Sequence, residues 1–425
     1  MNASPGSAAR ILALLGDDLL AEAESLYKDV HSHPELSMQE HRTAALAAEW
    51  LRKSGFDVTE EVGGTGVVGL LRSGDGPTVM LRADMDALPI AEQTGLPYAS
   101  TVTATGATGQ ETPVMHACGH DMHVAWLAAA GALFARTGDH WHGTLIALFQ
   151  PGEETAEGAR AMIEDGLLER FPKPDVVLGQ HVMPSSAGMI GSRAGVITSA
   201  ADSLQIRLFG RGAHGSMPQA SIDPVVMAAA TVLRLQTIVA REVAPTDAAV
   251  LTVGALQAGT KENVIPDDAI IKLNVRTFDQ ATREHVLAAI TRIANAEAEA
   301  SGAPKRPEIT TLDRYELVSN DVAATRRVRD ALTDHFGADQ VVQIPPLSAS
   351  EDFGSYGTGW QTASVFWTVG GTDPDTYRKA EQAGTLNALP TNHNPRFAPV
   401  IHPTLETGIQ ALVTGACAWL TAAES

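Results

Sequence analysis

The segment DSLQIRLFG, residues 202–210, alternates polar and apolar side chains along most of its length. Alternation of this kind predicts a strand with one buried face and one exposed face. Upstream runs such as TLIALFQ at 144–150 and DVVLGQH at 175–181 are almost continuously apolar, which is typical of strands buried on both faces. The change of pattern near residue 198 therefore predicts that a second domain begins there.

Further strands and helices follow this segment in a regular order. Helical patterns cover 224–241 and 282–300, and strands are predicted at 248–257, at 269–278 and near PEITTL, 307–312. The order β-α-β-β-α-β is the ferredoxin-like arrangement, a small four-stranded sheet backed by two helices. We expect residues 198–311 to form an inserted ferredoxin-like α+β domain that serves as a lid and in dimerisation.

The flanking segments, 1–197 and 312–425, have the pattern of one larger domain. Helical patterns fill 8–53, broken by HSHPELS at 31–37, and recur at 122–136, at 156–170 and from about residue 404. Apolar strands alternate with them at 66–72, 77–86, 144–150, 175–181 and 362–370. This alternation predicts an α/β layered catalytic domain with a mixed sheet and with its chemistry at the strand ends.

Composition limits the class of function. The chain has 425 residues and a formal net charge of -20, which argues against binding to nucleic acid or to anionic membranes. Two cysteines in the whole sequence make a disulfide framework unexpected and favour a reducing compartment. With neither a signal-peptide pattern nor a membrane-spanning pattern recognised, we expect a cytoplasmic protein.

Metal-binding residue types occur at four apparent strand ends. Cys118 and His120 lie in HACGHD, Glu153 and Glu154 end FQPGEE, His181 ends a predicted strand, and His393 lies in PTNHNPRF. Thiolate, imidazole and carboxylate together suit Zn²⁺ or Mn²⁺. Even with only one of the two glutamates as a ligand, the five that remain exceed the need of one tetrahedral ion with an open position, so two ions about 3.5–4 Å apart fit better.

The adjacent pair Glu153 and Glu154 is the most informative of these features. One carboxylate can bind metal while its neighbour stays free to act as a general base. Each feature also has a simpler explanation: a Glu-Glu pair on a solvated face, a histidine satisfied in the core, or a buried Cys118 acting as a small apolar residue. A nucleophilic Cys118 is a further alternative, and the coincidence of all four strand-end features argues against each of these.

The sequence resembles a known family over residues 31–397. It is similar to the amidohydrolase branch of the aminoacylase and carboxypeptidase-type dinuclear metallopeptidases, which includes hippurate hydrolase and indole-acetyl-amino-acid hydrolases. The matching stretches occur in the family's order: HSHPELSMQE, LRADMDALP, MHACGHDMH, FQPGEE, GAHGSMP, NVIP, VRTFD, SEDF and NHNPRF.

The resemblance implies a role for each of the strand-end residues. The implied metal ligands are Cys118, His120, Glu154, His181 and His393. It also implies that Glu153 is the base that activates water. The implied cofactors are two divalent ions, Zn²⁺ or Mn²⁺, with Co²⁺ and Ni²⁺ as further candidates. His116 and His123 are not expected to be ligands.

Other residues match positions around the substrate. The resemblance makes His214 the group that stabilises the oxyanion, from its own or from a partner subunit, and makes Asn263 and Arg276 candidates for holding the substrate's carboxylate or carbonyl. Asp86 matches an aspartate that orients a ligand. An inter-domain salt bridge for Arg276 and a strand-end cap for Asp86 remain open as alternatives.

The sequence thus predicts a metal-dependent hydrolase that cleaves the amide bond of N-acyl amino acids. Its expected partners are a small-molecule substrate and further copies of itself, as a homodimer or a higher homo-oligomer. A dipeptidase or carboxypeptidase of the same family is the first alternative. An inactive metal-binding scaffold is the second.

Overall fold

A computed structural model describes residues 7–106 and 109–420 of the chain. Its helices, in chain order, are α1 Ser7–Leu12, α2 Asp17–Ser32, α3 His41–Lys53, α4 His120–Arg136, α5 Gly158–Glu164, α6 Leu167–Arg170, α7 Pro224–Arg241, α8 Gln280–Ala300, α9 Val322–Phe336, α10 Gly354–Trp360, α11 Pro374–Ala383 and α12 Ile401–Cys417. Its strands are β1 Asp57–Val62, β2 Gly66–Ser73, β3 Thr78–Asp84, β4 Thr103–Thr105, β5 Glu111–Pro113, β6 Gly143–Gln150, β7 Val176–Ser186, β8 Ile190–Ser192, β9 Gly195–Thr198, β10 Ala200–Phe209, β11 Ala213–His214, β12 Ala249–Ala258, β13 Val264–Ile265, β14 Asp268–Thr277, β15 Glu308–Tyr315, β16 Val318–Asn320, β17 Val341–Gln343 and β18 Ala363–Thr372.

The chain divides into two compact units, and the second is inserted into the first. The first unit runs up to Ile197 and includes Ser319–Pro345 and the chain from Asp352 onward; the second comprises Thr198–Val318 and Pro346–Glu351. The boundary that the sequence suggested at residue 311 falls inside β15. Because β15 pairs with β10 as far as Tyr315, the whole strand belongs to the second unit.

An eight-stranded mixed sheet forms the centre of the first unit, which confirms the predicted fold class. The strand order is β1-β2-β6-β3-β7-β18-β8-β17. β3, β6, β7 and β18 run parallel to their neighbours within this group, whereas β1 pairs antiparallel with β2 and β2 with β6. Helix α4 is buried from His120 to Phe134, so its first turn is held firmly in the domain core.

A four-stranded antiparallel sheet, in the order β12-β14-β10-β15, forms the second unit. This is the predicted ferredoxin-like arrangement, and α7 and α8 pack on the sheet. By length and composition α7 could span a membrane. Its residues Met227, Leu235 and Ile238 nevertheless lie in the core of this unit, as expected for a helix that covers a sheet.

Several predicted elements have different bounds in the structure, and two of these differences change an interpretation. The single helix expected at 156–170 is two short helices, α5 and α6, because Gly166 between them has a left-handed φ of 86°. Strand β7 does not end at His181 but continues to Ser186. His181 therefore lies within a strand and not at its end. The alternation of side chains along the strand directs its imidazole to the candidate metal centre.

Candidate metal centre

The turn before α4 places Cys118 and His120 side by side at the start of a buried helix. Gly119, between them, has a φ of 84°, a conformation that favours glycine. A Cβ at this position would lie 2.4 Å from Cγ1 of Val182, so the turn also needs the absence of a side chain. Glycine therefore fixes where the thiol and the imidazole are presented.

His120 has one ring nitrogen engaged and the other available. Its Nδ1 lies 3.0 Å from the carbonyl oxygen and 3.1 Å from Oδ1 of Asp86. Its Nε2 is buried and has no hydrogen-bond partner among the described residues, with carboxylate oxygens of Asp84 and Glu154 at 3.7 and 3.9 Å. A histidine that donates one ring N–H to an acidic or carbonyl oxygen presents its second nitrogen as a metal ligand.

Asp86 connects His120 to the segment that carries the paired glutamates. Its Oδ2 accepts hydrogen bonds from the backbone N–H of Glu154, at 2.9 Å, and from Oγ of Ser37, at 2.7 Å. Burial by itself would raise the pKa of Asp86, but the hydrogen bonds from His120 and Ser37 outweigh burial and lower it. Asp86 is thus a carboxylate in contact with two candidate ligands, which is the geometry that the proposed orienting role needs.

His181, in β7, places its imidazole beside the thiol of Cys118. Its Nδ1 lies 2.7 Å from the carbonyl oxygen of Val182, and its Nε2 lies 3.5 Å from Sγ of Cys118. Burial lowers the pKa of His181 well below its usual range. A neutral imidazole whose Nε2 faces a thiol is in the form that binds a divalent cation.

Glu154 joins His393 to the same cluster. Oε2 of Glu154 lies 3.3 Å from Nε2 of His393, and Oε1 lies 3.9 Å from Nε2 of His120. His393 has a φ of 68°, and its backbone N–H donates to the carbonyl oxygen of Ala117. Glu153, next to Glu154 in the short helix Glu153–Thr155, is also buried.

The spacing of these atoms fits a metal site. Ligand atoms at about 2.0–2.3 Å from one ion in tetrahedral geometry are roughly 3.3–3.8 Å apart. The observed separations of 3.3, 3.5 and 3.9 Å fall in or next to this range. Oε1 of Glu154 and Nε2 of His120 are both buried without a hydrogen-bond partner among the described residues. A cation would satisfy both atoms.

The charge state of the site links metal binding to pH. Hydrogen bonds with Cys118 and Glu154 raise the pKa of His393 to about 10. Burial raises the pKa of the Cys118 thiol. Since a metal binds neutral imidazole and thiolate, a cation that enters this site must displace both protons.

His123 does not join the ligands, although it lies among them. Asp84, His120, His123 and His181 each place a possible ligand atom within 4.8 Å of the others. Both ring nitrogens of His123 are occupied, because Nδ1 lies 2.5 Å from Oδ1 of Asp84 and Nε2 accepts the backbone N–H of Val182. His123 therefore supports the strand that carries His181.

The carboxylates of Asp84 and Asp352 both accept hydrogen bonds from the buried side chain of Arg82. Nη1 and Nη2 of Arg82 donate to Oδ2 of Asp84, at 2.5 Å, and to Oδ1 of Asp352, at 3.0 Å. Asp352 also accepts from Nε2 of Gln150, at 2.7 Å. The SEDF motif thus contributes a buried ion-pair network, and Oδ2 of Asp352 also accepts the backbone N–H of Ala159, in the first turn of α5, at 3.0 Å.

Asn392 is a site residue that sequence reasoning missed. Its Nδ2 donates to the carbonyl oxygens of Cys118, at 3.0 Å, and of Val182, at 3.1 Å. The amide ties the Cys118 turn to the strand of His181. Its only signal in the sequence is its position beside His393 in NHNP, because an asparagine in a loop is usually a turn residue.

The second unit carries the other predicted residues. β11 pairs with β13 so that His214 lies opposite Val264, and the carbonyl oxygen of Asn263 accepts the N–H of Gly215. Nδ1 of His214 accepts the backbone N–H of Ser216 at 3.1 Å. That bond leaves the ring proton on Nε2 of an exposed imidazole, which suits hydrogen-bond donation to an anion.

Arg276 lies in β14, a central strand of the four-stranded sheet of this unit. Its Nη1 donates to the carbonyl oxygen of Ser348, at 2.6 Å, and to Oγ of Ser350, at 3.1 Å. These partners are neutral, so the hydrogen bonds hold the guanidinium in place without neutralising its charge. The sequence left an inter-domain salt bridge as an alternative role for Arg276. In the structure its guanidinium is positioned by neutral partners and keeps its positive charge.

Comparison with known proteins identifies the family of the chain. The family model for peptidase family M20/M25/M40 matches residues 80–400. The chain is 39% identical over 342 residues to the hippurate hydrolase of Campylobacter jejuni, covering 80% of this chain and 86% of the relative. It is 38% identical to an N-acetyl-L-cysteine deacetylase of Bacillus subtilis, covering 77% of this chain and 76% of the relative.

A solved structure described as a member of the M20 family is also similar to this chain. The YXEP protein of Bacillus subtilis, described as a dinuclear metal binding peptidase from the M20 family, matches with a TM-score of 0.75 and 29% identity. The match covers 95% of this chain and 98% of that protein. The chain therefore belongs to peptidase family M20/M25/M40 and is a metal-dependent amidohydrolase of that family.

Proposed function

We propose that this protein hydrolyses the amide bond of N-acyl amino acids and releases a carboxylic acid and an amino acid. The observation that carries the proposal is the pair of glutamates at the end of β6. Glu154 lies among the imidazoles and the thiol of the candidate metal centre. Glu153, the residue before it, supplies a buried carboxylate from the same turn. A base beside a metal centre is the arrangement that amide hydrolysis by water requires.

The chain's own groups supply the proton transfers. When bound, two divalent cations polarise the amide carbonyl and make water more acidic. Glu153 accepts a proton as the oxygen of water forms a bond to the acyl carbon. The carbon–nitrogen bond then breaks, and Glu153 gives the proton to the leaving amine nitrogen. Asp86 holds His120 and Glu154 in place during these steps through the contacts described above.

Residues of the second unit are proposed to recognise the substrate. His214, with its proton on Nε2, donates to the oxygen that becomes negative during attack. Arg276, held by Ser348 and Ser350, binds the substrate carboxylate, and Asn263 contributes its amide. His214 acts either on its own subunit or on that of a partner.

A cysteine-nucleophile reaction is less compatible with the structure. Burial raises the pKa of Cys118, which disfavours the thiolate needed for attack. Cys118 is proposed to be a ligand of Zn²⁺ or Mn²⁺, with Co²⁺ and Ni²⁺ as further candidates. Both cysteines are free and buried, in keeping with the proposed cytoplasmic location.

The test of the base is the substitution Glu153→Gln in the metal-loaded enzyme. We expect metal content to be unchanged and kcat to fall by a factor of about 10² or more, because glutamine cannot accept the proton. Metal content is measured by elemental mass spectrometry, and kcat is measured with hippurate as the substrate. Glu157→Gln, at an exposed glutamate of the same segment, is the matched control and should keep full activity.

A substrate panel separates the proposed activity from the dipeptidase or carboxypeptidase alternative. Hippurate and N-acetyl amino acids are compared with unacylated dipeptides on the same preparation. We expect kcat/KM to be higher for the acyl compounds. A preference for dipeptides would support the peptidase alternative. An inactive scaffold would bind acyl amino acids without any hydrolysis that depends on Glu153.

A further inference from the structure

We propose that the catalytic domain has an anion site for a phosphate group, separate from the metal centre. The site is a cavity of about 220 Å³ lined by arginines from two elements. The residues that carry the argument are Ser192, Arg193, Thr325, Arg326, Arg329 and Gln343. All of them belong to the first compact unit, and none belongs to the metal centre.

One face of α9 forms a wall of this cavity. Val322, Thr325, Arg326 and Arg329 lie at positions i, i+3, i+4 and i+7, so they occupy the same side of the helix. All four line the cavity. Arg327, the residue between two of the arginines, instead points to Trp419, with its guanidinium carbon 4.6 Å from the ring centroid.

Arg193 faces this helix from the loop after β8 and is held by the backbone. Its Nε donates to the carbonyl oxygen of Val196 at 2.8 Å, and its Nη1 to that of Ile344 at 3.4 Å. Both partners are neutral, so the charge of Arg193 is positioned but not compensated. A fixed guanidinium costs less entropy when it binds an anion.

The wall beside Arg193 offers a neutral donor. Ser192 is 1% exposed, and its Oγ has no hydrogen-bond partner among the described residues. A buried hydroxyl without a partner is costly, and a ligand oxygen at this wall would satisfy it. Gln343, which pairs with Ser192 between β17 and β8, adds an amide to the rim.

The charges of Arg326 and Arg329 are also uncompensated. Within residues 7–106 and 109–420, neither forms an ion pair. Asp330 is four residues after Arg326 but makes no such contact, and the carboxylate of Asp321 is engaged as the cap of α9, accepting from the N–H of Ala324 at 2.8 Å. Three unpaired cations in one cavity are unusual for a chain of net charge -20.

The chemistry selects the class of anion. Guanidinium groups bind carboxylate and phosphate oxygens through paired N–H donors, and a phosphate offers more oxygens and about twice the charge. Three cations with hydroxyl and amide donors therefore favour a dianionic phosphate over a carboxylate. The space of about 220 Å³ far exceeds the roughly 10–15 Å³ that a cavity needs to hold one water molecule. That is enough for a phosphate group.

The segments that build the cavity lead directly into the second unit. Ala194 precedes Ile197, Val322 follows Ser319, and Gln343 precedes Pro345, where the chain passes between the units. A phosphate bound here would link three connecting segments. Binding is consequently expected to raise the thermal unfolding midpoint.

The test is calorimetric titration of the metal-loaded, full-length enzyme with inorganic phosphate at constant ionic strength. We expect a saturable binding event that is weakened at least tenfold in both Arg326→Ala and Arg329→Ala. Arg327→Ala is the matched control, because it removes the same charge from the same helix outside the cavity. Its affinity should equal that of the wild type.

The variants also separate this site from phosphate binding at the metals. Binding at the metal centre would persist unchanged in all three variants, and that result would overturn the proposal. Equal weakening in Arg327→Ala and Arg329→Ala would indicate general electrostatics and would also overturn it. Acetate that bound as tightly as phosphate would contradict the assignment of a dianion.

Two ligands distinguish the source of the phosphate group. Phenyl phosphate is titrated beside inorganic phosphate with the same variants. Arginine-dependent binding of inorganic phosphate alone would assign a free-phosphate site. Tighter arginine-dependent binding of phenyl phosphate would assign a site for phosphorylated small molecules. Absence of arginine-dependent binding for both ligands would refute the site.

Discussion

At the scale of single residues, His31 is a charged group buried beside the metal-binding helix. Its Nδ1 lies 2.5 Å from Oδ2 of Asp121, and its Nε2 lies 3.0 Å from Oε1 of Glu92. Burial lowers the pKa of His31, but the hydrogen bonds and charges of Asp121 and Glu92 outweigh burial and raise it to about 9. His31 is therefore an imidazolium at neutral pH, held between two carboxylates near the end of α2.

The raised pKa of His31 predicts a pH-dependent contribution to stability. The contribution is complete below the unfolded value of about 6.5 and is lost as pH rises through about 9. A shift of this size corresponds to roughly 3 kcal/mol. We expect the unfolding midpoint of His31→Gln to lie well below that of the wild type at pH 6 and to approach it at pH 10.

The control for this prediction is His33→Gln, the same change at an exposed histidine two positions further along. Its unfolding midpoint should follow that of the wild type at every pH. A constant difference between His31→Gln and wild type across the range would show that the buried charge does not contribute as described.

At the scale of secondary-structure elements, the start of α4 is the element that decides the site. The turn at Gly119 sets Cys118 on one side and His120 on the other, and Asn392 and Asp86 hold these two residues from other elements. Two constraints act on this turn: a left-handed backbone and contact with Val182. The placement of the two candidate ligands Cys118 and His120 depends on both of them.

Gly119→Ala should therefore lose metal as well as stability. The added Cβ meets Cγ1 of Val182 at 2.4 Å, so the turn has to move. We expect metal content, measured on purified protein, to fall severalfold or more and activity to fall with it. The left-handed backbone alone costs about 1–2 kcal/mol.

Gly55→Ala is the matched control for the turn. Gly55 has the same φ of 84°, but a Cβ there would have no atom within 4 Å. This variant should lose about 1 kcal/mol of stability and keep its metal. Equal metal content in the two variants would contradict the proposed importance of the contact with Val182.

At the scale of the whole molecule, the inserted unit exposes apolar side chains that remain without cover in a single chain. On α7, Val226 is 66% and Leu233 73% exposed, and on the edge strand β12, Val250 is 49% and Leu256 48% exposed. An edge strand and an apolar helix face can pair with the same surface of a second copy. We propose that the protein forms a homodimer through this unit.

Light scattering coupled to size exclusion tests the dimer. We expect wild type to elute with twice the mass of one chain and Leu233→Glu to shift toward the monomer, because a charge at the interface is desolvated without a partner. Leu14→Glu places the same change at a residue of the first unit that is 47% exposed and should stay dimeric. A monomeric wild type would refute the proposal.

The sequence by itself determined the elements and the residue types of the site. Apolar periodicity depends on local backbone geometry, so the strands, the ferredoxin-like order and the cluster of Cys118, His120, Glu153 and Glu154 were all visible in one dimension. Such periodicity is weak at element ends. It therefore placed a boundary inside β15 and merged α5 with α6.

Apart from Asp86, whose orienting role the family resemblance implied, only the tertiary structure decided which distant residues support that cluster. Asp86 reaches both His120 and Glu154, Asn392 spans Cys118 and Val182, and His31 lies against Asp121. These contacts join segments far apart in the chain. They depend on the order of strands in the sheet and on the directions of individual side chains, neither of which a local sequence pattern encodes.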